Sequence, residues 1–345
     1  MSDLAADALP DAPDLDVVAI GELLIDLIST EPAPSLRDSA GFGRHQGGAA
    51  ANLAVNVAKL GGRSAIVAKT GIGAFGQYCK NELNRFGVLT DYLVMDHRVR
   101  TTMVFVARTA GTPDFEVARQ GDAALRPEDV PEEAIARARI VHTTAFALSR
   151  EPCRSAVLHA VRLAKQQKKL VSLDPNYHPD VWRDLFEARA VLGEMYRFVD
   201  LTKPSLDDAE RLWGPGRSPE EYVRIYAELG AGTVVLTMGA EGAIVRHDGE
   251  NTYVAPRDLE VADATGAGDA YWSGFLVAWL DGHSPEECGL FAREVVERKL
   301  RTVGPLPQNL DRRDLYAAIG GQRKTITPTD KHSDETESAR NLSGM

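Results

Sequence analysis

Hydrophobic positions along the chain follow two alternating patterns, short β-branched runs and longer stretches with the spacing of amphipathic helices. The strand-like runs are residues 17–20, 64–69, 102–107, 140–142, 170–174, 198–201, 233–237 and 242–246. The helix-like runs are residues 52–60, 77–86, 152–167, 219–229 and 267–280. Strands that alternate with helices predict an α/β fold with a mostly parallel sheet covered on both faces. The uninterrupted apolar run TVVLT at 233–237 is typical of a central strand of such a sheet.

Two segments break this alternation. Residues 24–46 and 98–119 have the composition of extended strands and turns, with no helix-like run between the strands. They predict a small separate sheet beside the main domain, and the alternative is a set of surface loops and edge strands.

Charge separates a folded part of the chain from two polar ends. The 345 residues include 39 Lys and Arg and 50 Asp and Glu, for a formal net charge of −11. Residues 1–16 hold five Asp and no Lys or Arg, and residues 322–345 lack aromatic residues. We therefore predict a disordered acidic leader over 1–16, one domain over 17–321 and a disordered tail over 322–345. The acidic balance argues against binding to nucleic acid or to anionic membranes, but not against a bound nucleotide.

The cysteines and the apolar stretches predict a soluble cytoplasmic protein. Cys79, Cys153 and Cys288 are far apart and form no C-x-x-C pair, which argues against a disulfide framework or a zinc cluster. The longest apolar stretches fall short of the roughly 20 residues that a membrane span needs. The first residues also lack the basic start of a secretory signal.

Three glycine-rich segments are candidates for ligand binding. In GGAAANLAVNVAKLGG at 47–62, two glycines precede a predicted helix, and Asn52 offers both a donor and an acceptor to a hydroxylated ligand. The alternative is a tight turn before a helix that packs through its alanines.

The second segment, GIGAFG at 71–76, has the form of a dinucleotide-binding fingerprint. It follows a strand-like run and opens a helix, and Asp96 lies about 20 residues further on. This pattern supports an NAD(P)-dependent oxidoreductase as one hypothesis, and an ordinary packed surface helix as its alternative.

The third segment, DATGAGDAYWSGFLVAWL at 263–280, places a small-residue loop directly before a long apolar helix. The amides of Gly266, Ala267 and Gly268 can converge on an anion at the helix N-terminus. Asp269 in the first turn is either a helix cap or the acceptor of a hydroxyl proton in phosphoryl transfer. The sequence contains no P-loop, protein-kinase, H-E-x-x-H or G-x-S-x-G motif.

In this order, the motifs resemble the ribokinase-like (PfkB) carbohydrate kinase family over residues 17–305. The similar segments are GELLID at 21–26, GGAAANLA at 47–54, DPN at 174–176, KPSLDDAERLWG at 203–214, TMGAEGA at 237–243 and DATGAGD at 263–269. The resemblance implies a three-layer α/β/α domain with a mostly parallel central sheet. It also implies a small β-sheet lid, built from 24–46 and 98–119, that closes over a sugar.

The resemblance implies a role for each matching residue. Asp269 would be the general base, and the amides of Gly266, Ala267 and Gly268 would form the anion hole. The sugar-binding residues would be Asp26, Gly47, Gly48, Asn52 and, from the lid, Arg119. The nucleotide-binding residues would be Lys203, Ser205, Thr237, Gly239 and Gly242.

The resemblance also implies two metal ions, and the sequence differs from the family pattern at three positions. Mg²⁺ would enter with ATP and be placed indirectly by Asp208, while Asp263 and Thr265 match positions that hold a monovalent cation such as K⁺ in some members. Ala264 stands where Thr is usual, His178 where many members have Arg, and Asp208 where the family has Glu.

The resemblance therefore implies an ATP-dependent sugar kinase. The loop GGAAANLA is most similar to fructokinases, which favours fructose or a related ketose as the substrate. The alternatives are 2-keto-3-deoxygluconate, whose carboxylate Arg119 would pair, and ribose or a nucleoside. Two hypotheses belong to other classes of function: an oxidoreductase and a non-catalytic sugar-binding regulator. The resemblance also implies a homodimer formed through the lid, as is common in the family.

Overall fold

The computed structural model describes residues 13–109, 114–308 and 310–320. The predicted tail lies outside these residues, as does the predicted leader up to residue 12. The first strand begins at Leu15, two residues before the predicted start of the domain. Leu15 is buried and pairs in register with Ala138, so the fold includes it.

Within the described residues, helices and strands alternate along most of the chain. The strands are β1 (Leu15–Ile20), β2 (Leu24–Pro32), β3 (Phe42–Gly47), β4 (Ser64–Gly71), β5 (Leu93–Asp96), β6 (Met103–Arg108), β7 (Asp114–Ala118), β8 (Ala138–Thr144), β9 (Leu170–Asp174), β10 (Leu201–Thr202), β11 (Thr233–Thr237), β12 (Ala243–His247) and β13 (Glu250–Val254). The helices are α1 (Ala49–Lys59), α2 (Ala74–Arg85), α3 (Glu132–Arg137), α4 (Ala145–Leu148), α5 (Cys153–Gln166), α6 (Leu185–Tyr196), α7 (Leu206–Trp213), α8 (Pro219–Leu229), α9 (Ala267–Leu280), α10 (Pro285–Leu300) and α11 (Arg312–Ile319). Short 3₁₀ helices occupy Leu36–Asp38, Asp122–Ala124, Pro127–Asp129 and Gly239–Glu241.

Nine strands form the large sheet, in the order β13-β12-β11-β10-β9-β8-β1-β4-β5. The strands from β11 to β5 are parallel, while β12 and β13 pair antiparallel at one edge. Helices cover both faces, because alternate residues of each strand point to opposite layers. Val18 packs in the cluster that contains α5, α6 and α8, whereas Val17 packs in the cluster that contains α1, α9 and α10. The predicted three-layer α/β/α fold is confirmed.

The two segments that break the alternation form a second sheet, in the order β3-β2-β6-β7. The pairs β2–β3 and β6–β7 are antiparallel, and β2–β6 is parallel. The prediction of a small separate sheet is confirmed, and the alternative of surface loops is wrong.

One predicted strand is displaced. Residues 198–201 were expected to form a strand, but α6 ends at Tyr196 and a turn follows, in which the amides of Phe198 and Val199 donate to carbonyls of the helix. The strand β10 therefore begins only at Leu201.

Cys79, Cys153 and Cys288 are all buried free thiols. No helix in the described ranges has the length and apolar character to cross a bilayer.

Candidate active site

Polar side chains follow the carboxyl ends of neighbouring parallel strands. Asp174 ends β9, Lys203 comes directly after β10, and Thr237 ends β11. In open α/β sheets, ligands bind in the crevice outside these strand ends. The candidate site is therefore at this edge of the large sheet, where α9 begins.

The N-terminus of α9 provides unpaired backbone donors. Gly266 has a left-handed φ of +74°, which glycine adopts without strain, and α9 starts at the next residue with no side-chain cap. Among the described residues, the amides of Gly266, Gly268 and Asp269 have no hydrogen-bond partner. The Ala267 amide instead donates to the Ala264 carbonyl at 3.1 Å. Two of the three predicted anion-hole amides are thus free, and the Asp269 amide, which was not predicted, joins them.

The Asp269 carboxylate is held next to these donors by Asn52. The Nδ2 of Asn52 donates to Oδ2 of Asp269 at 2.9 Å, although the two residues are 217 positions apart. Gln46 in turn donates to Oδ1 of Asn52 at 3.3 Å, which fixes the orientation of the amide. Burial raises the pKa of Asp269 above its usual range, while Asn52 and Lys203 oppose this rise. The group is an oriented carboxylate with increased basicity.

A second carboxylate, Asp26 on β2, faces Asp269. Burial and the charge of Asp269 raise the pKa of Asp26 to about 7. Gly47, which lies on the neighbouring strand β3 and pairs with Leu24, leaves the Asp26 carboxylate room: a Cβ at Gly47 would lie 2.1 Å from Oδ2 of Asp26. Gly48, with φ +99°, lies similarly close to the carbonyl of Glu22. The predicted sugar-binding residues Asp26, Gly47 and Asn52 are thus grouped around Asp269.

A buried glutamate, Glu22, packs against the Gly48–Ala50 segment beside this cluster. Glu22 is 2 % exposed, and its carboxylate accepts hydrogen bonds from the Thr144 hydroxyl at 2.8 Å and from the Ala50 amide at 3.3 Å. Burial, as the largest cause, raises its pKa to about 7.

Glu22→Gln is expected to stabilise the protein selectively at high pH. Because the folded-state pKa is raised, Glu22 contributes stability below its unfolded pKa, near 4.5, and loses that contribution as pH rises through about 7. We expect the variant to gain up to ~3 kcal/mol relative to wild type between pH 5 and pH 8.5. Urea unfolding at both values measures this gain, and an equal difference at the two values would contradict it.

The α9 helix is anchored to the sheet by a buried polar chain. The Trp272 indole donates to Oγ of Ser172 at 2.9 Å, and the same oxygen lies 2.9 Å from Nδ1 of His142. Burial lowers the pKa of His142 to about 3, so the imidazole is neutral at physiological pH. These contacts limit movement of the helix that carries Asp269.

A buried ion pair lies beside the anion hole. Nζ of Lys203 is 3.1 Å from Oδ2 of Asp174, and both side chains are about 5 % exposed. A Cβ at Gly268 would lie 3.2 Å from Nζ of Lys203, so the ammonium directly adjoins the start of α9. Burial raises the pKa of Asp174 to about 7, although the Lys203 charge acts in the opposite direction.

A cavity of about 890 Å³ opens from this ion pair along the sheet edge. All five predicted nucleotide-binding residues line it: Lys203, Ser205, Thr237, Gly239 and Gly242. Its lining also includes apolar residues outside the predicted set, Pro256, Leu259, Val296 and Leu300. The sequence patterns did not predict these residues, and the signal they offered was a pair of apolar residues four positions apart near the end of α10.

Asp208 lies in this cavity but already has three hydrogen-bond donors. Its carboxylate accepts from the amide and hydroxyl of Ser205, at 2.9 and 2.6 Å, and from the Tyr177 amide at 2.7 Å. Ser205 and Asp208 therefore form a capping box at the start of α7.

Asp263 and Thr265 precede the anion hole. The Thr265 amide donates to Oδ1 of Asp263 at 2.9 Å, and the Gly304 amide donates to Oδ2 at 3.0 Å. Nζ of Lys299, which the sequence analysis did not single out, also contacts Asp263.

Arg119 is buried in an internal network. Its Nε and Nη2 donate to Oδ2 of Asp122 at 2.9 and 2.6 Å, and it also donates to the Ser149 hydroxyl and the Phe146 carbonyl. The fork of donors that would pair a sugar carboxylate is therefore already engaged by Asp122.

His178, the departure from Arg, lies between the cavity and the small sheet. It lines the cavity, and its ring centroid is 4.5 Å from that of Phe115 on β7. Burial is the largest cause that lowers its pKa, which favours a neutral ring at this position.

The Gly71–Gly76 segment does not form a dinucleotide site. A Cβ at Gly71 would lie 2.7 Å from the Val99 carbonyl, and one at Gly76 would lie 1.8 Å from the Gly71 carbonyl. These glycines accommodate the protein's own backbone rather than a pyrophosphate. Asp96 is engaged by Arg98 at 2.6 Å and by Lys69 at 3.7 Å. The oxidoreductase hypothesis is wrong.

Comparison with known proteins agrees with this geometry. The family model described as "pfkB family carbohydrate kinase" matches residues 14–304. An "ATP-dependent 6-phosphofructokinase" of Thermoanaerobacterium thermosaccharolyticum is 34 % identical over 291 residues, covering 84 % of this chain and 89 % of the relative. The structure of Halothermothrix orenii fructokinase matches with a TM-score of 0.72 and 38 % identity, over 80 % of this chain and 97 % of that one.

A further solved structure, a Vibrio cholerae fructokinase double mutant "in fructose, ADP and potassium ion bound form", matches with a TM-score of 0.76 and 27 % identity. The match covers 89 % of this chain and 99 % of that one. The family match over residues 14–304 includes the segments that build the candidate site. The chain belongs to the pfkB family of carbohydrate kinases.

Proposed function

We propose that this carbohydrate kinase transfers the γ-phosphoryl group of ATP to a primary hydroxyl of fructose or a related ketose. The observation that carries the proposal is the position of Asp269. Its carboxylate lies between the free amides at the start of α9 and the polar cluster of Asp26, Gly47 and Asn52. A hydroxyl bound in that cluster is next to a base on one side and an anion-binding site on the other.

The proposed reaction begins at the sugar hydroxyl. Asp269 accepts its proton while the oxygen forms a bond to the γ-phosphorus, and the bond from that phosphorus to the β,γ-bridging oxygen breaks to release ADP. The amides of Gly266, Gly268 and Asp269 face the charge on the transferred group, and Lys203 adds a positive charge beside them. The raised pKa of Asp269 suits a general base, because proton transfer improves as the pKa approaches the working pH.

Mg²⁺ would reach this site with ATP and offset the charge of its phosphates. The described residues contain no cluster of three or more metal-binding side chains, which agrees with an ion held mainly by phosphates and water. The Asp208 carboxylate already accepts three hydrogen bonds from the protein, so we propose that it contacts the Mg²⁺ ion through a bound water and not directly.

Acid sugars are a second candidate substrate class, favoured by a different observation. Arg119 is engaged by Asp122, but Arg150 and Arg183 share with it a smaller cavity of about 200 Å³ against β7. Neither Arg150 nor Arg183 forms an ion pair with a described carboxylate, so both are free to pair an anionic substituent of a sugar.

Gly47→Ala is expected to impair sugar binding selectively. The new methyl group would overlap Oδ2 of Asp26 at 2.1 Å and force that carboxylate out of place. We expect the KM for the sugar to rise by about 10- to 100-fold, with the KM for ATP changed by less than about threefold. Gly73→Ala is the matched control, because nothing lies within 4 Å of its Cβ position. Parallel rises in both KM values would contradict this role for Gly47.

A substrate panel tests the proposed function. ADP release is measured with fructose, 2-keto-3-deoxygluconate, fructose 6-phosphate, ribose and adenosine, each at matched ATP. The proposal predicts the highest kcat/KM with fructose or another ketose. A preference for an anionic sugar would instead support acid sugars as the substrate class. Sugar binding without ADP release would support the non-catalytic regulator instead.

Assembly and location stay predictions. β3 and β7 are the edges of the four-stranded sheet, and Phe42 on β3 is 36 % exposed, so a second copy has strand edges available for pairing. We propose a homodimer through this sheet in a cytoplasmic enzyme. Sedimentation of Phe42→Glu beside wild type tests the dimer, which is contradicted if both sediment as the same species.

A further inference from the structure

Lys299 places a buried ammonium next to the loop that leads into the anion hole. The residue lies near the C-terminus of α10 and is 1 % exposed. Its Nζ lies 2.8 Å from the main-chain oxygen of Asp263, 3.3 Å from Oδ2 of the same residue and 3.5 Å from the carbonyl of Thr302. Each of the three donors of the ammonium therefore has an oxygen partner within the protein.

The same contacts join the loop to α10. The Ala262 amide donates to the Leu300 carbonyl at 2.8 Å, and the Gly304 amide donates to Oδ2 of Asp263 at 3.0 Å. Asp263 is three residues before Gly266, whose left-handed backbone starts the turn into α9. The orientation of the Asp263 peptide and carboxylate thus affects the position of the anion-hole amides.

A potassium ion does not fit where the sequence predicted one. K⁺ is bound by carbonyl and carboxylate oxygens that replace its hydration shell. At Asp263, one carbonyl oxygen and one carboxylate oxygen, together with the Thr302 carbonyl, already face the ammonium. A second positive charge in the same buried place would be repelled by the first.

We propose that the ammonium of Lys299 takes the place of the monovalent cation, so that turnover of this kinase does not require K⁺. Lys299 is then a positioning residue: it neutralises Asp263 and holds the loop that aims the Gly266 and Gly268 amides at the phosphoryl group. The effect on turnover rests on the proposed function, but the occupation of the cation position does not.

Two variants separate this role from that of an ordinary buried ion pair. Lys299→Ala removes the ammonium and leaves a space lined by the Asp263 and Thr302 oxygens, which a free cation can enter. Lys299→Met removes the charge but fills the space with an uncharged chain of similar length. A purely structural role predicts that added salt affects both variants alike.

The first experiment measures melting temperatures without substrate, in choline chloride and in KCl at equal ionic strength. We expect K⁺ to stabilise Lys299→Ala, because an ion that binds only the folded state raises the melting temperature. Wild type and Lys299→Met should not respond. The absence of a K⁺-specific shift in Lys299→Ala, or an equal shift in wild type, would overturn the proposal independently of any catalytic result.

The second experiment measures kcat under the same conditions. In choline chloride, kcat of Lys299→Ala should fall about 10- to 100-fold, as expected for a displaced anion hole, and KCl should restore most of it. Lys299→Met should stay impaired in both salts. The wild-type enzyme alone gives a further test. A wild-type kcat that is the same with and without K⁺ supports the proposal, and activation by K⁺ of more than about threefold overturns it.

Discussion

Asp269→Asn is expected to abolish sugar phosphorylation while leaving the fold and ATP binding intact. The substitution keeps the size of the side chain but removes the oxygen that accepts the hydroxyl proton. We expect kcat to fall by about 10²- to 10⁴-fold, the usual contribution of a general base. A coupled assay of ADP release measures kcat, and ATP-dependent thermal stabilisation confirms that the nucleotide site is preserved.

A matched control exists on the turn between β12 and β13. Asp248 is exposed and has a φ of +49°, a conformation that Asn adopts readily, so Asp248→Asn makes the same chemical change away from the site. This variant should have wild-type kcat. If Asp269→Asn retained more than about a tenth of wild-type kcat, Asp269 would not be the base.

Lys203→Met is expected to cause the largest loss of stability among these changes. The substitution leaves Asp174 buried without its partner, and breaking a buried ion pair from one side typically costs about 3–5 kcal/mol. Urea unfolding at pH 8 measures the loss. Lys203 also lowers the pKa of Asp269, so in any folded fraction the acid limb of kcat/KM should move to higher pH.

Asp174→Asn combined with Lys203→Met tests the cause of this loss. Removing both charges should recover most of the stability that Lys203→Met loses alone. The surface pair of Lys165 and Asp200, at 2.7 Å and about one-third exposed, gives the comparison: Lys165→Met should cost less than about 1 kcal/mol. Equal losses for the two lysine variants would show that the buried charge of Asp174 is not the reason.

Local sequence patterns predicted the features that depend on neighbouring residues, namely the turn into α9 and the bounds of two central strands. Gly266 and the small residues after it need a tight turn into a helix, and α9 begins at Ala267 as predicted. The strands at 170–174 and 233–237 have the predicted bounds, because their apolar runs are buried on both faces of the sheet.

Contacts between distant segments were not predictable in the same way. The hydrogen bond from Asn52 to Asp269 and the contacts of Lys299 with Asp263 join residues 217 and 36 positions apart, and no periodicity in the sequence indicates them. In the GIGAFG segment, by contrast, the sequence suggested a ligand site that the structure does not form. Its glycines are needed for close packing against residues 99–101, which a motif match does not distinguish from close approach to a phosphate.

The most direct test of phosphoryl transfer at Asp269 is ³¹P NMR of the complete reaction with ATP, Mg²⁺ and fructose. For each ADP formed, the γ-phosphate signal of ATP should be replaced by one phosphomonoester signal coupled to a CH₂ group, and Asp269→Asn should form none in the same time. Release of the γ-phosphate as inorganic phosphate, or equal product from Asp269→Asn, would contradict it.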